Sequence, residues 1–500
     1  MAIYENRKKQ KNPEHASKLQ LLWLSTQIKK LAISPKADGT YSQIQIGKYH
    51  FEAEYVEQYD IYLVFDTSSY PLKHNDNITS RINWIRGIHP NTKNNKNCKY
   101  IIETINDLHN QLEIHNQLIS TYIATTKDKI KWFPKYTCTL KMEKVNFFLL
   151  LDQIPNTIYK TDGWIINIDK HNPIKYKPPH EITIDLLYKD GKFYTCEDEI
   201  VQCMYTSYTE NGIWRCYWLN DKKCWVPRDL RKDKVVPNPI LLVMQLTKLH
   251  EESWIVTDLI KDLKYIYYSH EKQNLDNHIV EYLNKSKDIT TNNFTTIIKK
   301  YLNDRTYPLN ILDLGCGKGN LIQMIGKVTN KKLYYYGIDI DPSCIYIGMQ
   351  RYPTHIWKWQ DMTSKELLDD TTIKFDIIVA NNSLHNCEYD HQLLLLLYKI
   401  RKVTNIGSLF YINFIDVDKI DNYKYNDLEI TSIDIKERIY NFKYPWIAKE
   451  FTEKVISGEH IKKIMYSMNW ILEQEFNNNI KDISLELWSS YHTCYLFIKK

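Results

Sequence analysis

At 500 residues the chain exceeds what one hydrophobic core usually supports, and 43% apolar with 25% charged residues excludes a disordered or fibrous protein, so two or three domains are expected. The balance of 66 Lys+Arg against 60 Asp+Glu leaves a net charge of +6, which fits an RNA-handling protein without requiring one. Ten cysteines without a CxxC pair or a Cys/His cluster of zinc spacing predict a reduced intracellular protein, and the polar start MAIYENRKKQKNPEH excludes a signal peptide.

Residues 20 to 70 read as short strands, because IQIGKYHFEAEYV and DIYLVFD alternate or cluster β-branched and aromatic residues. The stretch Asn75–Asn97, rich in Asn, Lys and Gly, reads as a loop, and Tyr100–Thr126 carries apolar residues at helical spacing. Strands are expected again from about Phe147, with WIINI and EITIDLLYK, and continue as short strands to Pro239. Beyond Asn238 and Pro239 the pattern turns to alternating strand and helix: ILDLG, KLYYYGIDI, FDIIVA and LFYINFI predict a doubly wound α/β domain. The apolar runs Phe147–Leu151 and Leu393–Leu397 are too short to cross a bilayer, so no membrane partner is expected.

The sharpest local signal is NILDLGCGKGN, where a buried strand carrying Asp313 delivers the chain into Gly315, Gly317 and Gly319 just before a helix. Glycines let a backbone approach a bound cofactor closely. The second strand ends at Asp339, in the range expected for a ribose-binding acid, and Asp361 follows the third strand, where a side chain can meet an adenine. FDIIVANNSLHN then supplies a fourth strand with polar residues at its carboxyl end. This D-x-G-x-G-x-G series resembles class I S-adenosylmethionine methyltransferases. Within that class FDIIVANNSLHN resembles the corresponding segment of cap guanine-N7 methyltransferases. The resemblance implies that Asn381 stands beside the methionine moiety and His385 beside the cap guanine, with Asn386 replacing the family's Tyr.

A second series runs through the N-terminal half. Lys36-Ala37-Asp38-Gly39 is a K-x-D-G string; Glu54 lies on a strand soon after; TDGWIINI brings Asp162 and Gly163; IKYKPPHEITIDL gives Lys175 and Lys177; WVPRDLRKDKVVPNP contains Arg228, Arg231, Asp233 and Lys234. Singly, each is commonplace, since Lys175 and Lys177 alternate on a strand as a solvent face would. In order, they resemble the six collinear motifs of the GTP-RNA guanylyltransferases, the capping branch of a superfamily that also holds the ligases. That resemblance implies that Lys36 attacks GTP and that Asp38, Gly39, Glu54, Asp162, Lys175, Lys177, Arg231, Asp233 and Lys234 bind the nucleotide. It also implies that Glu54 and Asp162 hold Mg²⁺ or Mn²⁺. Tyr41 departs from the family, which often has Arg there.

Together the two series resemble viral, poxvirus-like mRNA capping enzymes. The implied architecture is an α+β nucleotidyltransferase domain over 1–185, an oligonucleotide-binding-type β-barrel lid over 186–255, and a Rossmann-like methyltransferase domain over 265–500. The implied ligands are GTP, S-adenosylmethionine, a divalent cation and an RNA 5′ end, in the cytoplasm and with no DNA. A separate RNA triphosphatase is expected, since only 35 residues precede Lys36; a stimulatory methyltransferase subunit or a viral RNA polymerase are further expected partners. A methyltransferase of other specificity, whose first half only binds RNA, is the alternative.

Overall fold

The computed structural model describes residues 14–67, 78–93, 99–168, 171–204, 210–252, 254–266, 294–296, 299, 308–326, 332–381, 383–384, 387, 390–416, 423–425, 428–434, 439–443, 451–477 and 492–500. They fall into two units, Met1–Leu263 and Lys264–Lys500.

The first unit begins with β1 (Glu14–His15), α1 (Lys18–Ser25), β2 (Leu31–Ala37), β3 (Thr40–Ile46), β4 (Tyr49–Val56), β5 (Ile61–Thr67), α2 (Ile78–Ile88), α3 (Pro90–Lys93) and β6 (Ile101–Ile102). It continues through α4 (Ile105–Thr125), β7 (Trp132–Pro134), β8 (Cys138–Leu140), α5 (Lys144–Leu151), β9 (Thr161–Ile168) and β10 (Ile174–Tyr176). Two sheets result, ordered β1-β10-β9-β2-β8-β6 and β3-β4-β5-β7. The central helix α4 starts where Thr104 and Asp107 cap each other's backbone, a reciprocal capping box, and buries Leu108, Leu112, Ile119 and Tyr122. Ile119 and Tyr122 pack with Ile61, Leu63 and Phe133 of the β3-β4-β5-β7 sheet.

Three expectations are corrected here. Residues 18–25 are helix rather than strand, and α2 with α3 occupies much of the stretch read as a loop. The apolar run at Phe147 belongs to α5. Helix α5 buries Phe147, Phe148, Leu150 and Leu151 and packs on α1; a run buried this fully has no periodicity to separate helix from strand.

Next come β11 (Thr183–Lys189), β12 (Lys192–Tyr194), β13 (Ile200–Val201), β14 (Gly212–Leu219) and β15 (Cys224–Leu230), followed by α6 (Ile240–Glu251) and α7 (Val256–Asp262). The sheet order is β13-β12-β11-β14-β15, antiparallel throughout. Its two edges meet, because Cys203, just past β13, bridges in parallel to Trp225 of β15, and the Met204 amide donates to the Trp225 carbonyl at 2.8 Å. The result is a closed five-stranded barrel, plugged by Ile184, Leu186, Phe193 and Trp225 and covered by Val243 and Leu246 of α6.

The second unit comprises β16 (Leu309–Leu314), α8 (Asn320–Gly326), β17 (Leu333–Asp339), α9 (Pro342–Arg351), β18 (Ile356–Trp359), β19 (Phe375–Asn381), α10 (Asp390–Lys402) and β20 (Thr404–Ile415). Four more strands, β21 (Tyr423–Tyr425), β22 (Leu428–Asp434), β23 (Ile439–Lys443) and β24 (Phe451–Lys454), form a small antiparallel sheet. After them come α11 (Gly458–Ser467), β25 (Trp470–Asn477) and β26 (His492–Lys499). The main sheet is ordered β18-β17-β16-β19-β20-β26-β25. All neighbours are parallel except β26, which runs against both β20 and β25. The strands are near-continuous apolar runs because helices cover both faces, and the core joins Leu312, Ile338, Ile378 and Phe410 to Leu396, Ile400 and Met465. Among the described residues no helix is long and apolar enough to cross a membrane.

Candidate functional site

In the first unit, four side chains named from sequence meet. Lys36, on β2, forms an ion pair of 2.9 Å with Asp162 Oδ1, on β9, and Lys177 Nζ contacts Asp162 Oδ2; all three side chains are half-buried. Lys175 lies on β10 in register with Ile165 of β9. Burial, reinforced by the ammonium groups of Lys36 and Lys177, lowers the Lys175 pKa to about 8 against the pull of Asp162. Burial also lowers Lys177. For Asp162, burial opposes ionisation, but Lys36 and Lys177 outweigh it and hold the carboxyl below its ordinary value.

Gly163 explains how two strands carry these groups so close together. Its φ is 148°, and a Cβ there would fall 2.1 Å from the Tyr176 carbonyl oxygen of β10. No other residue fits.

Two residues were not foreseen, one in this cluster and one beside Glu54. His15 pairs with Lys175 through the parallel β1-β10 contact. Burial and then Lys175, Lys177 and Lys36 lower its pKa to about 2, so the imidazole is neutral. Lys135 is 3% exposed and ion-paired to Glu54. A lysine inside the apolar run Trp132-Phe133-Pro134-Lys135-Tyr136 was the available signal for it; His15 had none, because a two-residue strand has no pattern.

Of the remaining residues expected to bind nucleotide, Gly39 lies against β4, where a Cβ would sit 3.4 Å from the Glu54 Cβ. Asp38 pairs with Lys160 at 3.4 Å and adds to the charge acting on both Lys177 and Arg231. Arg231 is engaged at two sides. It makes a two-pronged pair with Asp233 (2.8 and 2.6 Å) and donates to both oxygens of Asp185 (3.1 and 3.2 Å). Lys234 is exposed at the end of the barrel, and Arg228 stacks over Tyr217, 4.9 Å from its ring centre.

A divalent cation would find hard oxygen donors in Glu54 and Asp162. Among the described residues no three His, Cys, Asp or Glu side chains are arranged so as to hold a metal ion. Both carboxylates are already ion-paired to lysines. The donor chemistry fits a cation that completes its shell with substrate phosphate oxygens and water, as Mg²⁺ usually does.

In the second unit the site is made of backbone. Gly315, Gly317 and Gly319 have φ of 72°, 53° and 76°. The amides of Gly315 and Cys316 donate to the Ile338 carbonyl, and the Gly317 amide donates to Asp339 Oδ2 at 2.7 Å. Asp339 Oδ1 accepts from the Asp341 amide at 2.8 Å. The turn is thus tied to the carboxyl end of β17, and open space lies where a Gly317 side chain would stand. A cofactor with a ribose fits this cradle, since a carboxylate held by two amides keeps lone pairs for hydroxyl groups.

Beneath the turn, Tyr335 donates to Asp313 Oδ2 at 2.5 Å. Burial raises Asp313 to about 7 and Asp339 to about 6. Trp357 of β18 fills the notch left by three glycines: a Cβ at Gly319, Gly337 or Gly348 would lie 2.4, 3.1 or 2.4 Å from its ring. Asp361 spends Oδ1 on the amide and hydroxyl of Thr363, both at 2.8 Å. Asn381 ends β19 in an exposed position. His385 and Asn386 lie outside the described residues.

Residues 312–410 match the family model described as a methyltransferase domain. Among solved structures, an S-adenosylmethionine-dependent methyltransferase from Clostridium acetobutylicum ATCC 824 is 16% identical with a TM-score of 0.33, covering 44% of this chain and 96% of that one. An amino pentose methyltransferase from Micromonospora echinaspora is 12% identical with a TM-score of 0.32, covering 46% and 100%. A magnesium protoporphyrin IX methyltransferase from Synechocystis PCC 6803 is 11% identical with a TM-score of 0.30, covering 48% and 91%. No curated protein matches the chain. The second unit carries a methyltransferase domain with the parallel sheet of the class I, Rossmann-like fold.

Proposed function

We propose that this methyltransferase domain acts on caps that the first unit makes, so that the chain synthesises and methylates mRNA 5′ ends. One observation supports the nucleotidyl-transfer half above all others: Lys36, Asp162, Lys175 and Lys177, drawn from segments far apart in sequence, converge in one half-buried cationic cluster.

In this reading the Lys36 amine attacks the α-phosphorus of GTP, the bond to the β-phosphate oxygen breaks, and pyrophosphate leaves. GMP remains on the lysine as a phosphoamide and passes to a diphosphate RNA end. Lys175 and Lys177 neutralise charge that develops on the phosphate. Asp162 holds Lys36 in place until nucleotide arrives. Mg²⁺ or Mn²⁺, held by Glu54 and Asp162, would supply charge neutralisation at the triphosphate. The closed barrel and its Arg231-Asp233-Lys234 loop suit a lid that shuts over the nucleotide.

S-Adenosylmethionine supplies an electrophilic methyl group. Guanine N7 carries a lone pair and no proton, so its attack needs alignment rather than a general base, and the residues of the second unit hold and orient. Asp339 takes the ribose, Asp361 faces the adenine, Asn381 stands beside the methionine moiety, and His385 contacts the guanine. An RNA 5′ end, a separate triphosphatase, a stimulatory subunit and a viral polymerase are the partners this role implies, in the cytoplasm.

Incubation with α-labelled GTP and Mg²⁺ tests the reading. A covalent, acid-labile label is expected on the wild type and absent from Lys36→Ala, which should still bind S-adenosylhomocysteine. Labelling by ATP alone overturns it in favour of the ligase class, and no label on the wild type leaves a methyltransferase of other specificity.

A further inference from the structure

A row of polar side chains crosses the main sheet of the second unit at the cofactor end. Asn381 of β19, Asn413 of β20 and Cys494 of β26 are partners in register on three adjacent strands, so they share one face. Asn413 is 1% exposed and stands in the apolar run LFYINFI, and Cys494 is fully buried. A buried amide there is costly unless both its ends are used. Both are: the Cys494 thiol donates to Asn413 Oδ1 at 3.2 Å, and Asn413 Nδ2 donates to Asn381 Oδ1 at 2.8 Å.

The chain of bonds has a direction. Because Asn381 accepts through its oxygen from the β20 side, its planar amide turns Nδ2 away from β20. That is the side on which β16 runs into the glycine turn, since Leu314 and Ala380 are the last paired residues and Gly315 and Asn381 follow them. Ser383 closes over the same place, as a Cβ at Gly315 would lie 2.4 Å from its own Cβ.

We propose that Asn413 is a positioning residue of the cofactor site, which fixes Asn381 as a hydrogen-bond donor to the methionyl carboxylate of S-adenosylmethionine. This deepens the placement of Asn381 beside the methionine moiety and rests on it. Asn381 makes the contact. Asn413, out of reach of any ligand, decides whether a donor or an acceptor faces the cofactor.

Two ligands separate this role from a structural one. S-Adenosylhomocysteine carries the amino-acid group, whereas methylthioadenosine keeps the adenosine and sulfur and lacks it. With the full chain, titration calorimetry should show Asn413→Leu weakening S-adenosylhomocysteine about tenfold or more, the range of one hydrogen bond to a charged group. Methylthioadenosine should change less than about twofold. Asn381→Asp, at an exposed position, should give the same split even if Asn413→Leu does not fold, because it sets one carboxylate against another. An unchanged affinity for S-adenosylhomocysteine overturns the proposal, and so does a parallel loss for both ligands. If the wild type binds methylthioadenosine and S-adenosylhomocysteine equally well, the placement of Asn381 beside the methionine moiety fails instead; if it binds neither, the cofactor reading itself falls.

Discussion

The two sites are built of different materials. The Lys36 cluster gathers His15, Lys36, Asp162, Lys175 and Lys177 from separated strands and balances their charges against one another. The glycine turn uses one short stretch, from Asp313 to Asp341, and does most of its work with backbone amides and vacated space. A site made of side-chain charge should tolerate changes of shape and respond to changes of charge; a site made of backbone should do the reverse.

The strongest way to break that contrast is to add one methyl group to the turn. Gly315→Ala must adopt a φ of 72° and meet Ser383, so thermal unfolding of the second unit should move by about 2–3 kcal/mol, with S-adenosylhomocysteine binding lost. Next, Trp357→Leu empties the notch between Gly319, Gly337 and Gly348 and should cost about 2 kcal/mol or more in the same transition. Lys177→Met keeps the stem and removes only the charge; with Asp162 still paired to Lys36, it should cost less than about 1 kcal/mol in the first unit and greatly slow the GMP attachment proposed for this site. A larger loss of stability than for Trp357→Leu would refute the division.

The smallest effect sharpens the contrast through pH. Asp313 and Asp339 are raised to about 7 and about 6, so their stabilising contribution is complete below the unfolded value near 4 and is lost as pH rises through 6 and 7. In the first unit His15 is lowered to about 2, so its stabilising contribution is complete above pH 6.5 and is lost on acidification below it; Asp162, also lowered, adds a loss only below its unfolded value near 4. Lys175, lowered to about 8, acts in the same sense between 10.5 and 8. From pH 7.5 to 5 the first unit should therefore weaken while the second strengthens. Hydrogen exchange resolves the units, and His15→Gln and Asp313→Asn should each flatten one slope.

The contrast also explains what the sequence disclosed. The glycine turn and Asp339 were legible because their neighbours in space are neighbours in the chain. Lys36, Asp162, Lys175 and Lys177 were legible only as an ordered series, since no local pattern separates Lys175 from a solvent-facing lysine. His15, Lys135, Trp357 and Asn413 were missed because each acquires its role from a partner on another strand: Lys175, Glu54, Gly337 and Asn381. Helix α2 was missed for a similar reason. Its Asn-, Lys- and Gly-rich surroundings read as loop, and Ile85 finds its apolar partners only when packed with Phe51 and Val64 of the second sheet.

The close approach of β9 and β10 sets a rule for anyone redesigning the first site. The spacing between positions 162 and 177 is dictated by main chain on both sides, with no side chain in between to be resized. A library randomised over this hairpin should therefore return glycine at 163 under any selection that demands a folded product, while the flanking charges remain free to be rewritten for a different substrate.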